Sequence, residues 1–106
     1  MATADLTLIP LGGEGPSASG QLAKVLDHLH SQDRVRFEMG GMGTSLEGTT
    51  ADILALVAEL QAIPFEHGVP RVYMVLKLDE RRDRPDQTLA DKVHSVEGRR
   101  VGRPPA

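Results

Sequence analysis

Two amphipathic helical stripes, four strand-like runs and a glycine pair between the second and third of those runs predict an α+β fold. The order is that of a ferredoxin-like β-α-β-β-α-β sandwich with a short C-terminal helix. Two helices cover only one face of such a sheet, so the other face is left to solvent or to a second chain. Leu6-Thr7-Leu8-Ile9 is the first strand, which Pro10 is expected to end because it has no amide proton for a ladder. The glycine-rich stretch from Leu11 to Pro16 reads as loop. Ser17 or Ser19 can cap the first helix, where Leu22, Val25, Leu26 and Leu29 recur at i, i+3, i+4 and i+7. Val35, Phe37 and Met39 alternate with Arg34, Arg36 and Glu38, the period of a strand with one dry face. Gly40-Gly41 then permits a turn that bulkier residues resist, and Thr44 to Glu47 returns as the hairpin partner, with a bulge expected near Gly43.

Thr49 or Thr50 can cap the second helix, with Asp52 in the first turn and Ile53, Leu56, Val57 and Leu60 as its buried stripe. Pro64 falls before the natural stop at Gly68, which predicts a kink or a tightened last turn. The last strand runs from Arg71 to Leu78, with Val72, Met74, Leu76 and Leu78 on one face and Tyr73, Val75 and Lys77 on the other. Tyr73 and Val75, beside Thr7 and Ile9, make the uncovered face too apolar to stay wet, which predicts self-association by sheet packing. Thr88 can cap a closing helix through Val96. Residues 1–97 are thus read as one domain and 98–106, with three arginines and two prolines, as a mobile basic tail.

A chain of 106 residues supports one core, and no apolar run approaches the roughly 20 residues that a membrane helix needs. The N-terminus lacks the basic region of a signal peptide, so the cytoplasm is the default location. The absence of cysteine excludes disulfides and thiolate chemistry. A net charge of −3 and only three aromatic residues, Phe37, Phe65 and Tyr73, argue against nucleic acid as a partner.

Gly13-Glu14-Gly15-Pro16-Ser17-Ala18 matches a dinucleotide fingerprint, but the hairpin at Gly40-Gly41 turns the chain antiparallel where that fold must continue parallel. His28 and His30 lie two apart on a helix, point in different directions and read as surface histidines. No elbow or triad arranges a nucleophile, so no enzyme is expected. Met42 to Gly48 is more specific: Gly43 and Gly48 bracket a short polar strand and let backbone approach a ligand, with Thr44 offering a hydroxyl and Glu47 a carboxylate. A solvated glycine-rich hairpin is the equal alternative. The charged run from Lys77 to Arg84 mixes both signs at a strand end, which suits intramolecular ion pairs or a subunit contact.

In order along the chain stand Leu8-Ile9-Pro10-Leu11-Gly12, Ser17 and Ser19, Met42-Gly43-Thr44 with Glu47-Gly48, and Phe65-Glu66 before Gly68. Lys77-Leu78-Asp79-Glu80-Arg81-Arg82-Asp83, Thr88 and Asp91-Lys92-Val93 complete the set. Together they resemble the small thiamine-binding family of YkoF-like and related short proteins. The resemblance implies a ferredoxin-like fold, sheet-packed homo-oligomers that are commonly tetramers built as dimers of dimers, and binding of thiamine or its hydroxymethylpyrimidine moiety without a reaction. Apart from that ligand no cofactor or metal is implied. The matching ligand positions are Leu8, Pro10, Ser17, Met42, Gly43 and Thr44, with Glu47 as neighbour. Relatives often carry an aromatic where this chain has Gln21, and a polar residue with a proline where it has Gly40-Gly41. These departures keep open a second function, an oligomeric regulatory or interaction module without ligand binding.

Overall fold

The computed structural model describes residues 1–12 and 19–83, together with Ala90, Val93, His94 and Val96. Its elements follow the expected order: β1 (Ala2–Leu11), α1 (Ser19–His30), β2 (Arg36–Met39), β3 (Thr44–Gly48), α2 (Thr50–Glu66) and β4 (Arg71–Glu80). The four strands lie in the order β2-β3-β1-β4, and every neighbouring pair is antiparallel. Both crossover helices skip one strand, which is the ferredoxin-like arrangement. Ala90, Val93, His94 and Val96 are helical and exposed, within the span expected for the closing helix. Ser17 and the basic tail lie outside the described residues.

Side-chain parity along β1 decides what the core receives. Ala2, Ala4 and Leu6 point toward the helices and are buried with Val25, Leu29, Leu46, Ile53, Leu56 and Leu60. Removing one such leucine from water contributes about 1.5–3 kcal/mol, which makes this cluster the main source of stability. β1 is six residues longer than Leu6–Ile9, because the alanines carry the alternation too weakly to read as a strand. Pro10 does not end it. β3 pairs with β1 only as far as Leu6, opposite Thr44, so beyond that point β1 has β4 alone as neighbour. A proline is tolerated there as on any sheet edge.

α2 starts on Thr49, whose side chain accepts from the Asp52 amide at 3.1 Å. At the other end Pro64 tightens the last turn instead of breaking the helix. Its carbonyl accepts from both His67 N and Val69 N, while Gly68 N donates to Phe65 O. With Gly68 at φ 85°, this is a Schellman stop completed by the buried Val69. The proline costs only a bond that the end of a helix gives up easily.

α1 and α2 are joined by an ion cluster that the histidine spacing does not reveal. His28 Nε2 lies 2.8 Å from Glu59 Oε1, and Arg34 donates to Glu59 Oε2 at 3.1 Å. His28 is therefore a helix-bridging residue, not a free surface histidine; its partner is 31 positions away. The hydrogen bond from His28, reinforced by Arg34, holds the Glu59 carboxyl below the ordinary glutamate value. A carboxyl depressed in the folded state stabilises fully above its unfolded value, about pH 4.3, and that contribution disappears as pH falls through the lower folded value. Glu59→Gln should thus lose less melting temperature than the parent between about pH 5 and 3. Thermal unfolding followed by circular dichroism across that range checks it; parallel curves would remove the cluster from the account of acid stability.

Candidate functional site

The hairpin between β2 and β3 is closed by one bond of its own and fastened against the middle of β1 by another. Gly40 N donates to Gly43 O at 2.7 Å, and Thr7 Oγ1 donates to Met42 O at 3.3 Å. Neither Gly40 nor Gly41 takes a positive φ, so the turn does not depend on the freedom expected of them. Gly43 is the position that matters. A Cβ there would stand 3.0 Å from Leu6 O, 3.2 Å from Asp5 Oδ1 and 3.3 Å from Thr7 Oγ1. Only glycine lets the turn lie this close to β1.

The turn closes one end of the sheet, where β1 and β2 finish and β3 and β4 begin. Leu8, Pro10 and Thr44 lie there on the helix side, across from Met74, Val72 and Leu6 respectively. Burial falls off toward this end: Ala2, Ala4 and Leu6 are buried, whereas Leu8, Pro10, Val72 and Met74 are half-buried. The apolar layer at this end of the sheet is thus less filled than the layer at the opposite end. Of the seven residues singled out in the sequence, Leu8, Pro10 and Thr44 share the helix side toward this end, whereas Met42 and Gly43 in the turn meet Thr7 and Asp5, whose side chains leave the other face. The Met42 side chain is 91% exposed, so it stands beyond the walls of the site.

Glu47 is placed elsewhere. Thr44 and Glu47 are an odd number of positions apart on one strand, and their side chains leave opposite faces of the sheet. Glu47 pairs across β1 with Thr3 and lies 3.9 Å from Arg36 NH1 on the far face, away from α1 and α2. That face is divided. Ile9, Tyr73 and Val75 form an exposed apolar half, with Ile9 opposite Tyr73 and Thr7 opposite Val75. The other half is polar, with a depression of about 280 Å³ lined by Thr3, Asp5, Ser45, Lys77 and Asp79. Asp5 and Lys77 are directly opposite one another in the β1–β4 register.

The charged end of β4 holds the sheet to the second helix. The Thr50 hydroxyl donates to Glu80, and Arg82 Nε donates to the same carboxylate at 2.9 Å. These bonds, Thr50's first, pull the Glu80 carboxyl below its ordinary value. Arg81 Nε binds Asp83 at 3.0 Å. The run from Lys77 to Asp83 therefore includes local ion pairs and a clamp on the start of α2. Among the described residues no group of three metal-ligating side chains is present.

Comparison with known proteins gives the same outline. Residues 4–97 match the family model described as "Thiamine-binding protein". The chain is 45% identical over 98 residues to a UPF0045 protein of Methanothermobacter thermautotrophicus, covering 91% of this chain and 96% of that one. It is 35% identical over 99 residues to the UPF0045 protein YqgV of Bacillus subtilis, covering 91% and 94%. The crystal structure of MJ1052 from Methanocaldococcus jannascii superposes with a TM-score of 0.77 at 33% identity, over 90% of this chain and 94% of that one. A Thermotoga maritima protein, TM0486, provisionally assigned to thiamine biosynthesis or salvage, shares the fold with a TM-score of 0.72 at 21% identity, covering 90% and 97%.

Proposed function

Since the chain belongs to the thiamine-binding protein family, we propose that it binds thiamine or the hydroxymethylpyrimidine half of it, without turnover, as a cytoplasmic homo-oligomer. It serves as a carrier, buffer or sensor of that ligand. The observation that supports this reading is the placement of Leu8, Pro10 and Thr44 on the helix side toward the thinly filled end of the sheet, with the Gly43 turn against Leu6. A flat aminopyrimidine needs apolar walls with a few fixed polar partners. Leu8 and Pro10 supply the walls, Thr44 a hydroxyl, and the Gly43 turn an edge of backbone; Ser17 is proposed to complete the entrance from the helix side. The provisional assignment of the Thermotoga protein to thiamine metabolism points the same way.

Homo-oligomerisation is proposed from the far face. Three exposed apolar side chains on neighbouring strands form a patch that a second copy can cover. Asp5 and Lys77 stand opposite one another on this face, and a two-fold related copy is proposed to meet each with its opposite. Glu47 belongs to this face, where it is buried beside Thr3 and near Arg36, and is proposed to hold the sheet rather than to touch the pyrimidine.

Calorimetric titration with thiamine and with hydroxymethylpyrimidine tests the ligand reading, and absence of heat at millimolar ligand would remove it. Two substitutions then separate the faces. Thr44→Val should weaken binding by about three- to tenfold through loss of one hydrogen bond, and Glu47→Gln by less than about twofold. The reverse ranking would move the ligand to the far face.

A further inference from the structure

Gln21 sits where the helix pattern asks for a hydrocarbon. It precedes Val25 and Leu29 by four and eight positions on α1, and both of those are buried in the core, so all three share the stripe that faces the sheet. Its Oε1 is shut off from solvent and meets no donor among the described residues. An amide oxygen left so forgoes a hydrogen bond that water would otherwise supply, and native interiors rarely tolerate this without a use. Its place supplies the use. α1 leaves the end of β1 and returns the chain to β2, so its first turn lies over the end of the sheet that carries Leu8, Pro10 and Thr44. The orphan acceptor thus stands at the same end of the fold as the proposed pocket.

We propose that Gln21 reads the ligand by accepting a hydrogen bond from an exocyclic amino group on a flat nitrogen heterocycle. A carboxamide carries an acceptor beside a donor. A 4-aminopyrimidine carries an amino donor beside a ring-nitrogen acceptor, so the two edges match in a bidentate pair, as glutamine matches adenine. The residue is then a determinant of specificity: a ring lacking the amino group leaves Oε1 buried and unpaired, and sites with that property reject the analogue. This inference rests on the ligand reading above and names the part of the ligand that is recognised.

The test compares thiamine with the analogue bearing hydrogen in place of the exocyclic amino group, titrated into the native chain and into Gln21→Met. The native chain should prefer thiamine by about tenfold, and Gln21→Met should bring that ratio close to one, since methionine preserves length and removes the amide. In the absence of ligand Gln21→Met should also melt higher, by about 4–8 °C, because the unpaired oxygen is gone. Heat with native protein but an unchanged ratio in the variant would overturn the role of Gln21 and leave the ligand reading standing. No heat with native protein would overturn both. A lower melting point, or failure to fold, would make the amide part of the scaffold and not a reader of ligand.

Discussion

Gly43→Val should abolish measurable thiamine binding and lower the melting temperature by roughly 4–24 °C. The first β-carbon already reaches 3.0 Å from Leu6 O, which is backbone and cannot rotate aside. The two further methyl carbons of valine must fit between Asp5 and Thr7, so the turn has to lift off β1. Overpacking of this kind costs about 1–3 kcal/mol, and each kcal/mol shifts the midpoint of a domain this size by about 4–8 °C. Lifting the turn also breaks the Thr7 to Met42 bond and moves Thr44, the first residue of β3, away from Leu6. Stability and affinity should therefore fall together, as read by thermal unfolding and calorimetry. A variant that melts lower and still binds like the parent would separate the turn from the site.

Tyr73→Glu combined with Val75→Glu should reduce the assembly to single protomers. Both residues are on β4 on the far face, opposite Ile9 and Thr7, and neither contributes to the buried core. In a two-fold contact each carboxylate is brought near its own copy after losing water, which opposes association more strongly than the lost apolar area. Because the proposed pocket is built from one chain on the helix side, thiamine affinity should change by no more than about twofold, the usual range for surface substitutions. Light scattering reads the mass and calorimetry the affinity. A parent chain that is already a single protomer contradicts the proposed assembly, and loss of affinity on dissociation would put part of the site at the interface.

Much of this was legible in the residues themselves. The apolar periods of α2 and β4 fix their faces, Thr49 and Asp52 mark a helix start, and Gly68 marks a stop, all as the described structure has them; on α1 Val25 and Leu29 are buried as expected, but Leu22 is exposed. What escaped has identifiable causes. Ala2 and Ala4 are buried like leucines but too small to register as a strand face, so β1 looked short. Pro10 signalled an end only because the sequence does not say that β3 stops opposite Leu6. His28 finds Glu59 through tertiary packing, which no local spacing encodes.

The candidate site divides along the same line. That Thr44 and Glu47 face opposite ways follows from strand parity alone and was readable from their numbers. The need for glycine at position 43 lies in its distance to β1, a strand more than thirty residues earlier, and only the fold reveals it. Gln21 stands between these cases. Its spacing from Val25 and Leu29 places it on the buried stripe, but that its oxygen meets no donor is a fact of packing.

Amide chemical-shift mapping during a thiamine titration tests the central claim most directly, because one experiment reports both binding and place. The expected result is saturable shifts at Thr7 to Leu11, Gln21 to Leu22 and Met42 to Thr44, with Thr3, Glu47 and Lys77 little changed; Pro10, lacking an amide, is silent. Shifts centred on Thr3, Asp5, Ser45 and Lys77 instead, or none at millimolar thiamine, would contradict it.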